Sequence, residues 1–486
     1  RNARIMVTMP TEAASDYRLV HDLLRGGMDC MRINCAHDDS YAWSAMIDNL
    51  QRARQSLGKE CRIMMDLAGP KLRTGPIASG AAVIKYRPRR DSWGRVVDRA
   101  RLWFTSDEQP GEPPTPADAC VQVPGDWLAG LALGDSVRFR DARGAHRSID
   151  VLDVTAAGVW LAADRTAYIS TETRLHHHSD RGHALQTATV SAVPTREEVI
   201  RLYPGDLLVV TPDESPGRPA TFDGSGKLLT PASIGCTLPE VLDCVRVGEE
   251  IWFDDGKIGG EVESARNGRL RVRVRHTGPR GGKLRCDKGI NLPGSQLEIP
   301  AITARDVQDL EFVARHADMV ALSFANTVED VETLNAHLQR YEDKAPAIVL
   351  KIETVNGFQN LPDMLFSAMS APVCGVMIAR GDLAVESGFE RMAEVQEEIL
   401  WLCEAAHVPV IWATQVLETL AKTGAPTRAE ITDAAMGHRA ECVMLNKGPH
   451  IMETVRTLDN ILKRMQGHQF KKQSMLRELR MASDRM

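Results

Sequence analysis

Eight short apolar runs punctuate the chain, and each is followed by a stretch with helical spacing. The runs are ARIMVTM (3–9), CMRIN (30–34), CRIMMDL (61–67), DMVALSF (318–324), AIVLKIE (347–353), VCGVMIA (373–379), PVIWAT (409–414) and CVMLN (442–446). Amphipathic segments lie between them, at 16–26, 40–57, 304–316, 328–340, 390–407 and 450–466. Continuous apolar runs of this length read as strands buried on both faces. Eight strand–helix alternations in order predict an α/β fold, a (β/α)8 TIM barrel. A doubly wound open sheet is the structural alternative, and the count of eight favours closure.

The alternation breaks off after Gly75 and resumes near Lys288. The intervening stretch is rich in Gly, Pro and Arg and carries short alternating runs such as VRFRD, IDVLDV, VWLAAD and RLRVRVRH. That texture predicts an inserted all-β domain. It also repeats itself: WFTSDEQPG (103–111) resembles VVTPDESPG (209–217), and LAGLALGDSVRFRDARG (128–144) resembles LDCVRVGEEIWFDDGKIG (242–259). The shared order of several blocks implies a tandem duplication inside the insertion. The expected division is a first barrel part over 1–75, a β insertion over 76–287, a second barrel part over 288–468 and a tail over 469–486.

Composition narrows the class. A net charge of −6 over 486 residues gives no reason to expect nucleic acid as the main partner. No apolar run reaches membrane-spanning length, so no membrane is expected either. The start has no signal-peptide pattern; it opens at Arg1 rather than Met, and a missing N-terminal stretch is expected. Ten scattered cysteines with no CxxC pair read as reduced thiols of a cytoplasmic protein, and no structural zinc site is expected.

The chemistry should sit where the strands end. IARGDLAVE (378–386) closes an apolar run with Arg380-Gly381-Asp382, read as a charged turn. AIVLKIE ends in Lys351 and Glu353, which at i and i+2 point to the same side of a strand. Glu353 and Asp382 could share one hard divalent cation with Lys351 beside it, a grouping suited to phosphate or enolate chemistry. Arg32, Asn34, Asp66, Ser323, Thr414, Gln415, Asn446 and Lys447 fall at the other strand ends. A purely structural barrel has no use for such a set there.

These residues carry a resemblance to the pyruvate kinase family. The matching stretches are MRINCAHD (31–38), MDLAGPKLRTG (65–75), FDDGKIG (253–259), KGINLPG with PAIT (288–303), SFANTVEDV (323–331), KIET (351–354), IARGDLAVE (378–386), WATQVLETL (412–420) and PTRAEITDAA (426–435). The insertion corresponds to that family's mobile lid, here much longer. The resemblance implies transfer of the phosphoryl group of phosphoenolpyruvate to ADP, giving pyruvate and ATP in glycolysis, with Mg2+ (or Mn2+) as cofactor. It implies Glu353 and Asp382 as metal ligands, and Lys351 as the group that stabilises phosphoryl transfer and the enolate. Thr414 would stand beside the pyruvate methyl group, where water delivers the proton. Arg32 and Arg73 would contact phosphate groups, and Asn34, Asp66 and His37 would surround the cation and nucleotide side. Asp255 would be the lid aspartate and Lys288 a nucleotide-side lysine. Arg380 lies in the same motif, where Ala379 and Gly381 would offer backbone amides to the substrate carboxylate.

Several positions depart from that pattern. Only about forty residues follow Asn446, so the family's C-terminal effector domain and its sugar-phosphate site are expected to be absent. In the monovalent-cation site, formed in the family around positions equivalent to Asn34, Ala36, Asp66, Leu67 and Lys71, Ala36 replaces a serine, Leu67 a threonine and Lys71 a glutamate. A lysine ammonium can supply the missing cation's charge, so no potassium requirement is expected. NKGPH (446–450), Asn326 and TMPTEAA (8–14) alter loops near the nucleotide.

Two rival functions remain at this point. One is a magnesium-dependent lyase or aldolase acting on pyruvate or phosphoenolpyruvate on the same barrel. The other is a catalytically weak phosphoenolpyruvate sensor. Oligomeric state is left open, homo-oligomers included. The His176–His178 run reads as a solvated loop rather than a metal tract. Asp254-Asp255 fits a β turn on turn chemistry alone, Met64, Met65 and Met377 read as core filler, and the basic tail (Lys471, Lys472, Arg477, Arg480) reads as a solvated helix face.

Overall fold

A computed structural model describes residues 2–466 except 81, 180–185, 195–197, 214, 296 and 298. The eight apolar runs become eight parallel strands: Arg4–Thr8, Cys30–Asn34, Arg62–Asp66, Met319–Leu322, Ala347–Ile352, Cys374–Ala379, Val410–Ala413 and Cys442–Leu445. They pair in chain order, and the first meets the last with Arg4 opposite Cys442, so the sheet closes into a barrel. Strand alternation then sorts the side chains. Met6, Cys30, Met64, Ala321, Val349, Met377, Ile411 and Met444 fill the barrel interior, whereas Ile5, Ile33, Met65, Ile348 and Ile378 face the surrounding helices. The inward parity, continued to the strand ends, carries Thr8, Arg32, Asp66 and Lys351, all buried. One alternation therefore builds both the core and the polar floor above it.

Helix starts follow their caps. Asp16 accepts from the Leu19 N–H at the head of Tyr17–Gly26, and Thr303 forms a reciprocal capping box with Asp306 at the head of Ala304–His316. The helices Val355–Gln359, Leu361–Ala368, Glu418–Thr423 and Arg428–Met436 were not legible from spacing alone. Arg380-Gly381-Asp382, read as a turn, is instead the first turn of a helix, Arg380–Ser387. Leu-Ala-Val-Glu continues it, and Asp382 in the first turn suits the positive end of the helix.

The described residues of Arg1–Gly75, Arg201–Ser215 and Thr221–Met486 form one compact unit, and those of Pro76–Ile200 and Pro216–Ala220 form another. The inserted stretch is thus shared between two units, where a single body over 76–287 was expected. The tail 469–486 lies outside the described residues.

Each unit holds one copy of the same sheet. In the first copy Ala100–Ser106 pairs in parallel with Ala119–Val123 and antiparallel with Gly158–Ala163; then follow His146–Thr155, Ser136–Arg140 and Arg174–His178. In the second, Leu207–Thr211 pairs in parallel with Ala232–Gly235 and antiparallel with Arg269–His276; then follow Ile258–Arg266, Glu250–Phe253 and Ile290–Asn291. The registers coincide: Leu102 lies opposite Ala119 as Leu208 lies opposite Ala232. The turns coincide too. Ala132 N–H donates to the Asp135 carboxylate as Arg246 N–H donates to that of Glu249, each beside a glycine, Gly134 and Gly248, with φ of 90° and 92°. A left-handed backbone at this position favours glycine in both copies.

The His176–His178 run is a correction. It belongs to the strand Arg174–His178, and His177 is buried with its Nε2 2.7 Å from Asp135 Oδ2. Leu175 and His177 alternate inward, so the tract obeys strand periodicity and is no loop.

Candidate active site

Lys351 stands at the centre of a charged cluster at the C-terminal end of the strands. Its Nζ lies 3.0 Å from Glu353 Oε1, 3.1 Å from Asp66 Oδ1 and 2.7 Å from Ser323 Oγ. The three ionised groups are 8%, 4% and 1% exposed for Lys351, Glu353 and Asp66. Burial alone would lower the lysine pKa, but Asp66 and Glu353 outweigh it and push it up, so the ammonium stays charged. For Asp66, burial acts to raise the pKa, while Lys351 and Arg32 together hold it below the usual range. For Glu353 burial wins despite Lys351, and Asp382 adds to the upward shift.

Arg32 is held against this cluster. Its Nε and Nη2 both donate to Asp66 Oδ2, and Nη1 donates to Thr8 Oγ1 at 2.9 Å. Two of its five N–H groups are left for a ligand. Glu353 Oε2 also accepts from the Phe324 N–H at 2.9 Å.

Asp382 enters from the head of its helix. Lys71 Nζ lies 3.5 Å from Asp382 Oδ2, and Lys71 also acts electrostatically on Glu353. Gly381 N–H donates to Thr414 Oγ1 at 2.7 Å, and Thr414 holds that place with a left-handed φ of 60°. The Gly381 amide is therefore engaged by Thr414 in this state, while the threonine keeps its own O–H to donate. Ala379 is the buried last residue of its strand. Arg380 points away from the Lys351 cluster: it donates to Ala413 O and Thr414 O, forks onto Asp433 and lies 4.7 Å above the Trp412 ring. It fixes the strand end that presents Thr414.

The remaining candidates have partners of their own. His37 is held electrostatically with Lys447 and Arg73; partial desolvation first, then these two cations, push its pKa down. Arg73 Nη1 lies 3.2 Å from Asp287 Oδ1 and donates to Asp287 O. Lys288 Nζ lies 3.3 Å from Asp254 Oδ1, and Asp255 is exposed beside it. Thus Asp254, rather than Asp255, holds the lysine in this state. Asn34 Oδ1 accepts from Ala36 N–H at 3.1 Å, and Leu67 is buried.

A cavity of about 240 Å³ opens beside Asp382, lined by Lys71, Asn291, Asn326, Thr354 and Glu386. Glu386, the last residue of IARGDLAVE, also lines this cavity. It follows Asp382 by one helical turn, so the two share a face. Its Oε1 accepts from Asn291 Nδ2 at 3.3 Å. Burial pushes its carboxyl up to about 7, with Asp382 adding to the shift. In metal-free buffer this has a measurable consequence. An unfolded carboxyl titrates near its ordinary value of 4.5, so between there and about 7 the folded state binds the extra proton, and stability falls as pH rises through that window. Above it the full penalty, about 3 kcal/mol, is present. Glu386→Gln keeps the acceptor and removes the charge. Thermal melts should find it more stable than the parent above about pH 7 and nearly equal below the unfolded carboxyl's pKa. Equal stability at high pH would refute the assignment.

The donor set fits a hard divalent cation. Asp382 raises the cost of ionising Glu353, and in this state the ammonium groups of Lys351 and Lys71 lie against those same carboxylates. A buried and a partly buried carboxylate, offset by flexible lysines, are what a small cation would relieve.

Comparison with known proteins follows the same residues. The family model described as the pyruvate kinase barrel domain matches residues 1–90 and 219–450. The unmatched span between them contains the first copy of the sheet from Ala100 to His178. The chain is 36% identical over 270 residues to pyruvate kinase 1 of Trypanosoma brucei brucei, covering 54% of this chain and 50% of that one. It is 33% identical over 271 residues to pyruvate kinase of Geobacillus stearothermophilus, covering 54% and 43%. It is 32% identical over 310 residues to pyruvate kinase PKLR of Homo sapiens, covering 62% and 50%. The chain spans about half the length of the curated relatives it matches.

Proposed function

Since the chain belongs to the pyruvate kinase family, we propose that it is a phosphotransferase that moves the phosphoryl group of phosphoenolpyruvate to ADP, giving pyruvate and ATP. The observation that carries this reading is Lys351, buried, charged and 3.0 Å from Glu353 at the ends of the strands.

Phosphoryl transfer spreads charge over the equatorial phosphate oxygens and leaves an enolate oxygen behind. Lys351 is a fixed cation for both. Arg32, whose two remaining N–H groups are unassigned to the protein, would bind phosphate oxygen. Arg73 and Lys288, each held by an aspartate, would exchange those partners for nucleotide phosphates. His37, kept neutral by partial burial and then by its cationic neighbours, would donate or accept there without adding charge. The enolate then needs a proton at its methylene carbon; Thr414 Oγ1 would orient the water that supplies it. Gly381 and Ala379 would present backbone amides to the substrate carboxylate once Thr414 turns to that water. Asp255, exposed on its turn, would face the site on closure.

Glu353 and Asp382 would hold Mg2+ (or Mn2+), which when bound neutralises charge on the transferring oxygens. Potassium would not be required. The side chains of Ala36 and Leu67 offer no oxygen ligand, and those of Asn34 and Asp66 are already engaged. All ten cysteines are free thiols, which supports a cytoplasmic site of action. Among the described residues, no helix is long and apolar enough to cross a membrane.

The test is coupled turnover of phosphoenolpyruvate with ADP and magnesium. Pyruvate formation stoichiometric with ATP supports the proposal. Pyruvate without ATP, or binding of phosphoenolpyruvate without turnover, overturns it.

A further inference from the structure

The first copy of the duplicated sheet carries a basic groove of its own. Along the strand Ser136–Arg140, Val137 and Phe139 are buried and Arg138 and Arg140 exposed. His146 lies opposite Arg140 on one neighbouring strand, and His176 opposite Arg138 on the other, with Arg174 exposed two residues before it. These five side chains, with Glu172, surround a groove of about 350 Å³. Like charges placed across neighbouring strands destabilise a sheet. Some other arginines of this unit are neutralised, Arg99 by Asp150 and Asp164 and Arg147 by Asp141, and Arg101 is stacked over the Trp160 ring. Among the described residues, no such ion pair is made by Arg138, Arg140 or Arg174. Folding alone does not account for the concentration.

The duplication gives this face a second meaning. Phe139 lies opposite Leu175 as Phe253 lies opposite Ile290. Arg138 and Arg140 therefore occupy the positions of Trp252 and Asp254, and Arg174 and His176 those of Gly289 and Asn291. In the second copy that face holds the Asp254–Lys288 pair and lends Gly289 and Asn291 to the cavity beside Asp382. The first copy keeps the ligand-facing surface and replaces its acid with cations.

We propose that this groove binds a small anion carrying two adjacent phosphate groups. Neighbouring strands are about 4.8 Å apart and alternate residues about 6.8 Å apart, a spacing that lets guanidinium groups on two strands, with the His146 imidazole on a third, reach the oxygens of linked phosphates. Guanidinium groups suit such oxygens by their forked N–H geometry, and the groove's volume admits a small molecule rather than a folded partner.

Inorganic pyrophosphate is the probe, titrated calorimetrically into the full chain. The parent should bind it saturably. The double variant Arg138→Glu, Arg174→Glu should weaken that binding by about tenfold or more, and the milder Arg140→Gln by a smaller factor. All three positions are exposed, so turnover should stay close to the parent's. Equal pyrophosphate binding in parent and both variants, or no saturable binding in the parent, overturns the proposal. A single-stranded oligonucleotide that binds the parent more tightly than pyrophosphate, and is lost in the variants, also overturns it, in favour of nucleic acid.

Discussion

Lys351→Met is expected to lower kcat for phosphoenolpyruvate and ADP by about 10²–10³-fold, the size of effect found when one preorganised charge-stabilising donor is removed. The methionine has similar length and no charge, so packing around the strand end is largely kept. The loss also strands two partners. Asp66 and Glu353 remain buried without the ammonium that lies 3.1 and 3.0 Å from them, a change that costs about 3–5 kcal/mol when a buried pair is broken. The stability loss should depend on pH in a definite sense. Glu353 already binds its proton more tightly than an unfolded glutamate, because burial outweighs Lys351. Without the lysine that excess grows, so the variant gains stability as pH falls and the carboxyl takes up its proton. Thermal melts from neutral to mildly acid pH, beside the coupled assay, check both halves. Lys351→Arg separates them: it keeps the charge and most of the stability, but its planar fork cannot occupy the point the ammonium holds, so turnover should remain low. Full activity in the methionine variant would end the assignment.

The barrel was legible because its signal is redundant. Eight apolar runs each had to be buried on both faces, and CMRIN or CVMLN has no other stable use at that spacing. The duplication was legible for a related reason: LALGDS and VRVGEE carry the same glycine turn, and the folded copies share register as well as order. Lys351 and Glu353 were legible because strand parity puts i and i+2 together. What was not legible depends on groups far apart in sequence. Nothing local says that Asp254 holds Lys288, that Asp433 holds Arg380 some fifty positions away, or that Asn291 reaches Glu386. Arg380-Gly381-Asp382 looked like a turn because charge and glycine usually mean one; the Thr414 hydroxyl, brought from the next strand, accepts the Gly381 amide at the helix head instead. The histidine run misled in the same way. His177 reads as polar until Asp135 is placed 2.7 Å from it in the interior of its sheet.

Lys71→Glu is expected to make turnover depend on potassium. The parent should be indifferent to the ion: Lys71 places its ammonium 3.5 Å from Asp382 and within electrostatic reach of Glu353, so a positive charge is already built in where a monovalent cation would otherwise supply it. A charge attached to the chain needs no recruitment from solution and no desolvation of a free ion. Reversing it to glutamate adds a third carboxylate beside Asp382 and Glu353, and like charges at that distance oppose both metal binding and the anionic substrate. Activity without added potassium should fall by about 10²-fold, roughly the 2.7 kcal/mol expected for one lost electrostatic contact. A saturating potassium salt should restore part of it, with the new carboxylate as the ion's ligand. Lys71→Met tells the two contributions apart. It removes the cation without adding a ligand, so its activity should be low with or without potassium. If instead the parent itself gains strongly from potassium, Lys71 serves only to neutralise Asp382, and the ion must bind through backbone oxygens that the side-chain replacements at Ala36 and Leu67 left untouched.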